Sequence, residues 1–232
     1  MYRFRLNLLS ILASSCLLAV AIPAHADPIA WTVWSPSSLV AGNPGSATGT
    51  LNGIAVTYTG EILGLQFNNP SWNPTSSFAG GTVGNAPPTA NGAVQMEGGS
   101  SYVETITFAS AITDPEIAIW SLGGGNTAAE FDFPANEPFT IEAGGPNAEY
   151  GGSSIYTNRN PGVSGVEGNG VVQINGTYTS ITFTTPVTEN YYDFTVGNDT
   201  APVTSVTPEP TSLVLLGTGL AAIAGVRRKF RR

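Results

Sequence analysis

Between Asp27 and Thr207 the chain has no cysteine, no histidine and no lysine, and Arg159 is its one basic residue there. Each absence removes a class of chemistry. Without histidine there is no base for a Ser-His-Asp triad. Without cysteine there is no thiolate nucleophile and no disulfide, although an oxidising compartment would allow one. Without lysine a Schiff-base mechanism is closed. Zinc and haem lose their usual nitrogen and sulfur ligands. No phosphate-binding loop with its lysine and no dinucleotide fingerprint occurs, and Leu122-Gly123-Gly124-Gly125 reads as a turn. The same stretch lacks any long stripe of apolar residues at helical spacing with caps at its ends.

Positive charge is missing as well. Of the chain's 16 acidic residues only Glu209 lies beyond residue 205, and of its 8 basic residues only Arg159 lies within 27–205. That segment therefore carries fifteen acids and one base, a formal charge near −14. Such a body repels nucleic-acid phosphates and anionic membrane surfaces. Nucleic acid is excluded as a partner on this ground, and solubility outside a cell is favoured.

The other basic residues mark the two ends. Arg3 and Arg5 precede a mostly apolar run from Leu6 to Ile22, and Ala24-His25-Ala26 puts small residues at the two positions a signal peptidase reads. Residues 1–26 form a secretory signal peptide, with cleavage expected after Ala26. The run is broken by Asn7, Ser10, Ser14 and Ser15, which weighs against a permanent N-terminal anchor. Apolar residues continue past Cys16, which weighs against lipidation there. At the far end, Val206-Thr207-Pro208-Glu209-Pro210-Thr211-Ser212 leads into an apolar segment, about residues 212–226, and then Arg227, Arg228, Lys229, Phe230, Arg231 and Arg232. An apolar stretch followed by a basic cluster is a stop-transfer arrangement, with the cluster held on the cytoplasmic side. The segment is short for a hydrocarbon core about 30 Å thick, and snorkelling arginines with local thinning can cover the gap.

The order Pro208-Glu209-Pro210, short apolar helix, terminal arginine cluster resembles the PEP-CTERM sorting signal, over residues 206–232 only. The resemblance implies a substrate of exosortase, a membrane cysteine protease or transpeptidase that processes the tail at or near Pro208-Glu209-Pro210. It also implies a Gram-negative bacterium that makes extracellular polysaccharide, with transient residence in the inner membrane and then the cell surface or medium. An ordinary C-terminal membrane anchor is the other reading of the same residues.

Residues 27–205 are long enough for one domain with a sizeable core. Several short runs alternate apolar and polar residues with period two: Ile54, Val56 and Tyr58; Ile106 and Phe108; Ile117 and Ile119; Phe139 and Ile141; Thr177 to Phe183; Tyr191 to Val196. Turn pairs such as Asn52-Gly53 and Asn175-Gly176 separate them, and the second predicts a hairpin between Val171–Ile174 and Thr177–Phe183. Residues 68–99 and 143–170 read as long loops. The fold class is all-β, an antiparallel β-sandwich of jelly-roll type, with a β-barrel as the second possibility. A signal helix and a C-terminal transmembrane helix are expected to flank it.

Carboxylate chemistry survives the exclusions. Glu130-Phe131-Asp132 places two acids on one face of a strand, as in sandwich-fold glycosidases, but Pro134 stands where the next acid would be, so a solvent-facing edge is the expectation. Asp193 and Asp199 are calcium candidates by residue type, though no spacing forms a calcium loop, and no metal or cofactor is expected. Trp72, in a proline-flanked loop, is the candidate platform for stacking a sugar. The sequence thus points to a non-enzymatic exported protein of the cell surface or extracellular matrix. The alternatives are a carbohydrate-binding module for extracellular polysaccharide and a carboxylate-dependent glycosidase.

Overall fold

A computed structural model describes residues 26–68 and 72–199. The expected signal helix and tail helix, the sorting motif and Ala24 lie outside the described residues, of which Ala26 is the first. Among the described residues no helix is long and apolar enough to cross a membrane.

The described residues form sixteen strands: β1 (Ile29–Trp31), β2 (Val33–Trp34), β3 (Gly42–Leu51), β4 (Ile54–Ile62), β5 (Gly64–Gln66), β6 (Ala93–Met96), β7 (Glu104–Thr113), β8 (Glu116–Leu122), β9 (Ala129–Asp132), β10 (Phe139–Gly144), β11 (Ser153–Ser154), β12 (Tyr156–Thr157), β13 (Gly162–Gly165), β14 (Gly168–Ile174), β15 (Thr177–Phe183) and β16 (Tyr192–Asp199). A large sheet runs β10-β14-β8-β16-β6-β5, with β1 also on β16 and β11 on β14. A second sheet runs β15-β7-β4-β3-β2, and a small one runs β12-β13-β9. Among the described strands all ladders are antiparallel except β11 with β14. The sheets run in open order, which sets the barrel aside among the described residues.

Period-two patterning builds the main core. Val56 and Tyr58 of β4, Ile106 and Phe108 of β7, and Ile181 and Phe183 of β15 face Ile117 and Ile119 of β8, Val172 and Ile174 of β14, and Phe194 and Val196 of β16. Phe131 of β9 sits 4.8 Å from Phe183 and 6.0 Å from Phe194, ring centre to ring centre, within the range for favourable aromatic pairs. The two larger sheets thus share one hydrophobic layer.

The outer face of the large sheet is also covered. Ala118, Trp120, Val171 and Ala93 pack beneath Trp72, Phe78 and Val83. Every residue of β8 is buried as a result. Of the expected 68–99 loop, residues 72–92 form this cover and residues 93–96 form β6. The expected 143–170 loop likewise contains β11, β12 and β13.

Asn52-Gly53 makes a two-residue hairpin between β3 and β4, with φ of 48° and 81°. Positive φ at both positions matches the twist of the flanking strands. Asn175-Gly176 does not make the expected hairpin: β14 pairs with β8 and β10, whereas β15 pairs with β7 in the other sheet. The turn is an arch between sheets, joined to a second arch between β7 and β8. Asp114 N–H donates to Gly176 O at 2.7 Å, Gly176 N–H donates to Asp114 Oδ1 at 2.7 Å, and Ile174 N–H donates to Pro115 O at 2.8 Å. At the edge strand β15, buried Glu137 accepts from Thr182 N–H and Oγ1, which occupies an edge donor that another chain could otherwise pair with.

Candidate functional site

Trp120 and Asp193 are Cα partners across β8 and β16, so their side chains leave the same outer face of the large sheet. Tyr191 stacks near Trp120 with ring centres 6.4 Å apart, and Tyr150 tilts against it at 5.5 Å. The two tyrosine hydroxyls are 2.8 Å apart and hydrogen-bonded. Beside them is a groove of about 130 Å³ lined by Ser121, Gly124, Gly125, Tyr150, Glu167, Glu189, Asn190 and Tyr191.

Side-chain anchors hold this groove in shape. Ser121, at φ 59°, donates its hydroxyl to the Glu167 carboxylate and its N–H to Asn169 Oδ1 at 2.8 Å. Fully buried Asn169 also accepts from Asn147 Nδ2 at 3.0 Å and donates to Glu167 O at 2.8 Å. Asn147 Oδ1 accepts the N–H groups of Glu149 and Tyr150. The Gly123-Gly124-Gly125 turn closes the rim, with Gly124 and Thr127 exchanging backbone hydrogen bonds.

The electrostatics are one-sided, because the lining contains no basic residue. Burial pushes the Glu189 carboxyl up to about 8, and the charge of Glu167 pushes the same way. Glu189 Oε1 has no hydrogen-bond partner. Asp193 is fully buried with both oxygens unpartnered. Its burial, and then Glu149 and Glu189, hold it well above the usual carboxylate range.

The structure separates the residues singled out from sequence. Trp72 is 3% exposed and packs edge-on against Phe78 at 5.0 Å. It lines an open groove with Asn73, Asn85 and Pro87, but its ring is part of the cover over the large sheet, not an exposed stacking platform. The open position was inferred from flanking prolines, which set backbone geometry and not burial. Trp72→Ala is therefore expected to cost about 3 kcal/mol through the cavity it leaves, seen as a lower Tm. Glu130 and Asp132 share a face of β9, but their partners are structural: Asn158 Nδ2 donates to Asp132 Oδ1 at 2.7 Å, and Ser164 lies beside Glu130. Asp193 and Asp199 stand six residues apart on one strand, about 20 Å, so they do not form one calcium site. Among the described residues no three His, Cys, Asp or Glu side chains converge as a metal site.

The groove itself escaped the sequence reading. Its residues come from segments around 121–125, 150, 167 and 189–191, and of these Tyr191 alone belongs to an alternating run. The one local signal is an acid beside a tyrosine in a loop, at Glu149-Tyr150 and at Glu189-Asn190-Tyr191.

Comparison with known proteins bears on the tail. Residues 206–229 match the PEP-CTERM protein-sorting motif. The tail is a PEP-CTERM motif. It marks an exported protein processed by exosortase and sorted at a bacterial membrane. No curated protein and no solved structure matches the chain.

Proposed function

We propose that the chain is a non-enzymatic surface or matrix protein, held in the inner membrane of a Gram-negative bacterium until exosortase processes its PEP-CTERM tail. The tail match carries this reading. The body agrees with it: residues 27–205 hold a single base, no histidine and no cysteine, which leaves few routes to catalysis and a strongly acidic, soluble domain. Signal peptidase removes residues 1–26, and the basic cluster from Arg227 to Arg232 holds the tail until processing. Replacing Pro208, Glu209 and Pro210 by alanine is expected to keep the protein in the inner-membrane fraction, read by cell fractionation; surface delivery at the normal level would refute the reading.

A second reading is recognition of extracellular polysaccharide. The observation in its favour is the Tyr150–Tyr191 groove, which combines aromatic rings with convergent polar groups. It replaces Trp72 as the place where a sugar would meet the domain.

A further inference from the structure

The groove beside Trp120 has more specific chemistry than a general sugar surface. At Gly124, the direction a side chain would take ends 3.0 Å from Glu189 Oε2 and 3.4 Å from Glu167 Oε1. The two carboxylates therefore converge on the space that this glycine leaves open. Glu189 Oε1 has no partner, and no basic side chain lines the groove. Fully buried Asp193 projects from the same face of the sheet as Trp120 with both oxygens unpartnered. A buried carboxyl ionises at little cost only beside a cation, so an entering cation draws the site's carboxyl into its charged form.

The rest of the lining selects the kind of cation. Calcium takes six to eight oxygen ligands, and no three acids converge among the described residues. Tyr150 and Tyr191 present ring surface, which attracts an ammonium by its quadrupole and stacks against apolar ring hydrogens of a sugar. Ser121, Asn190 and the two tyrosine hydroxyls offer partners for hydroxyl groups. The groove, about 130 Å³, is small and open to solvent, which suits an amine and the adjoining edge of one sugar ring.

We propose that this groove binds a protonated amino sugar, with the ammonium between Glu167 and Glu189 and the ring against Tyr150 and Tyr191. The proposal deepens the polysaccharide reading and is independent of the tail. It implies a partially de-N-acetylated glycan, whose free amines carry positive charge toward an acidic domain.

The test is calorimetric titration of the exported protein with glucosamine at pH 6, alongside glucose and calcium chloride. Glucosamine is expected to bind with a Kd on the order of 1 mM, about −4 kcal/mol, with no saturable heat from glucose. Gly124→Ala fills the convergent space, and Glu189→Gln removes the carboxyl that gives up its proton when an ammonium enters. Each is expected to weaken glucosamine binding at least tenfold while the thermal melt stays cooperative. Tyr150→Phe serves as a second variant should either fail to fold, with an expected loss of several-fold. Glucose binding as tight as glucosamine, displacement of glucosamine by calcium, or no glucosamine heat at 20 mM would each overturn the site. Binding of an intact polysaccharide that survives Glu189→Gln would overturn the site and leave the broader carbohydrate reading standing.

Discussion

Between pH 5 and pH 9 the folded domain is expected to lose stability as the pH rises. The cause is a set of carboxyls buried without cations. Burial pushes Glu104 up to about 7, against hydrogen bonds from Tyr58 and the Glu61 N–H that favour its charge. Glu116 is pushed up to about 8 by burial and then by Asp199, Asp114 and Glu142. Glu189 stands at about 8, and Asp193, Glu61 and Glu137 are raised as well, each mainly by burial. The sign follows from proton counting. A carboxyl raised in the folded state holds its proton there after the unfolded chain has released it near pH 4.5, so the folded state binds more protons across the window. Its contribution is present below about pH 4.5 and is lost as pH rises toward about 8.

Glu104 and Glu116 are 0% and 1% exposed, so solvent screens them little. A tenfold difference in proton affinity between the folded and unfolded chain corresponds to about 1.4 kcal/mol. Allowing for relaxation, the summed loss is on the order of 5 kcal/mol, or roughly 10–20 °C in Tm for a domain of this size. Thermal melts at pH 5, 7 and 9 in low-calcium buffer measure it. A Tm that rises with pH would show that the buried carboxyls have charge partners in solution.

A chain that stops after Tyr191 is expected not to fold, whereas residues 27–205 are expected to fold alone. β16 pairs with β8 through Asp193–Gly197, with β6 through Tyr192–Phe194 and with β1 through Gly197–Asp199. Its loss removes three fully buried side chains, Tyr192, Phe194 and Val196, from the shared layer. At about 1.5–3 kcal/mol each, and with three ladders opened besides, the deficit is comparable with a typical domain's whole stability of about 5–15 kcal/mol. Far-UV circular dichroism and limited proteolysis distinguish the two chains, and a protease-resistant shorter chain would contradict the central role of β16. The geometry also constrains sorting. Asp199 closes the last strand, and Pro208 follows nine residues later, a span of at most about 30 Å. Processing at Pro208-Glu209-Pro210 leaves the sheet whole, and a cut before Asp199 would not. Because Ile29 pairs with Asp199, the first and last strands of the described domain end side by side.

The sequence was readable where the chemistry is local. Asn52-Gly53 forces a turn whose φ values few residues tolerate, and the Pro-Glu-Pro tail is a linear signal with no tertiary requirement. Alternation placed Val56, Tyr58, Ile106 and Phe108 on a core face. It could not tell which sheet each strand joins, because a strand's pattern is the same in either sheet. Asn175-Gly176 therefore looked like a hairpin and is an arch, fixed by Asp114 from 62 residues away. The cover over Trp120 was equally invisible: Trp72 and Phe78 sit among turn residues, and only tertiary contact shows that the large sheet is buried on both faces. Glu167 and Glu189 meet beside Gly124 through tertiary contact, and no spacing along the chain encodes that.

The sorting reading is tested most directly by the intact mass of the protein from cells with and without exosortase. The predicted result is a chain starting at Asp27 and ending near Pro208-Glu209-Pro210 when the enzyme is present, with the tail through Arg232 retained when it is absent. An identical mass that includes Arg232 in both strains would contradict it and make the tail a permanent anchor.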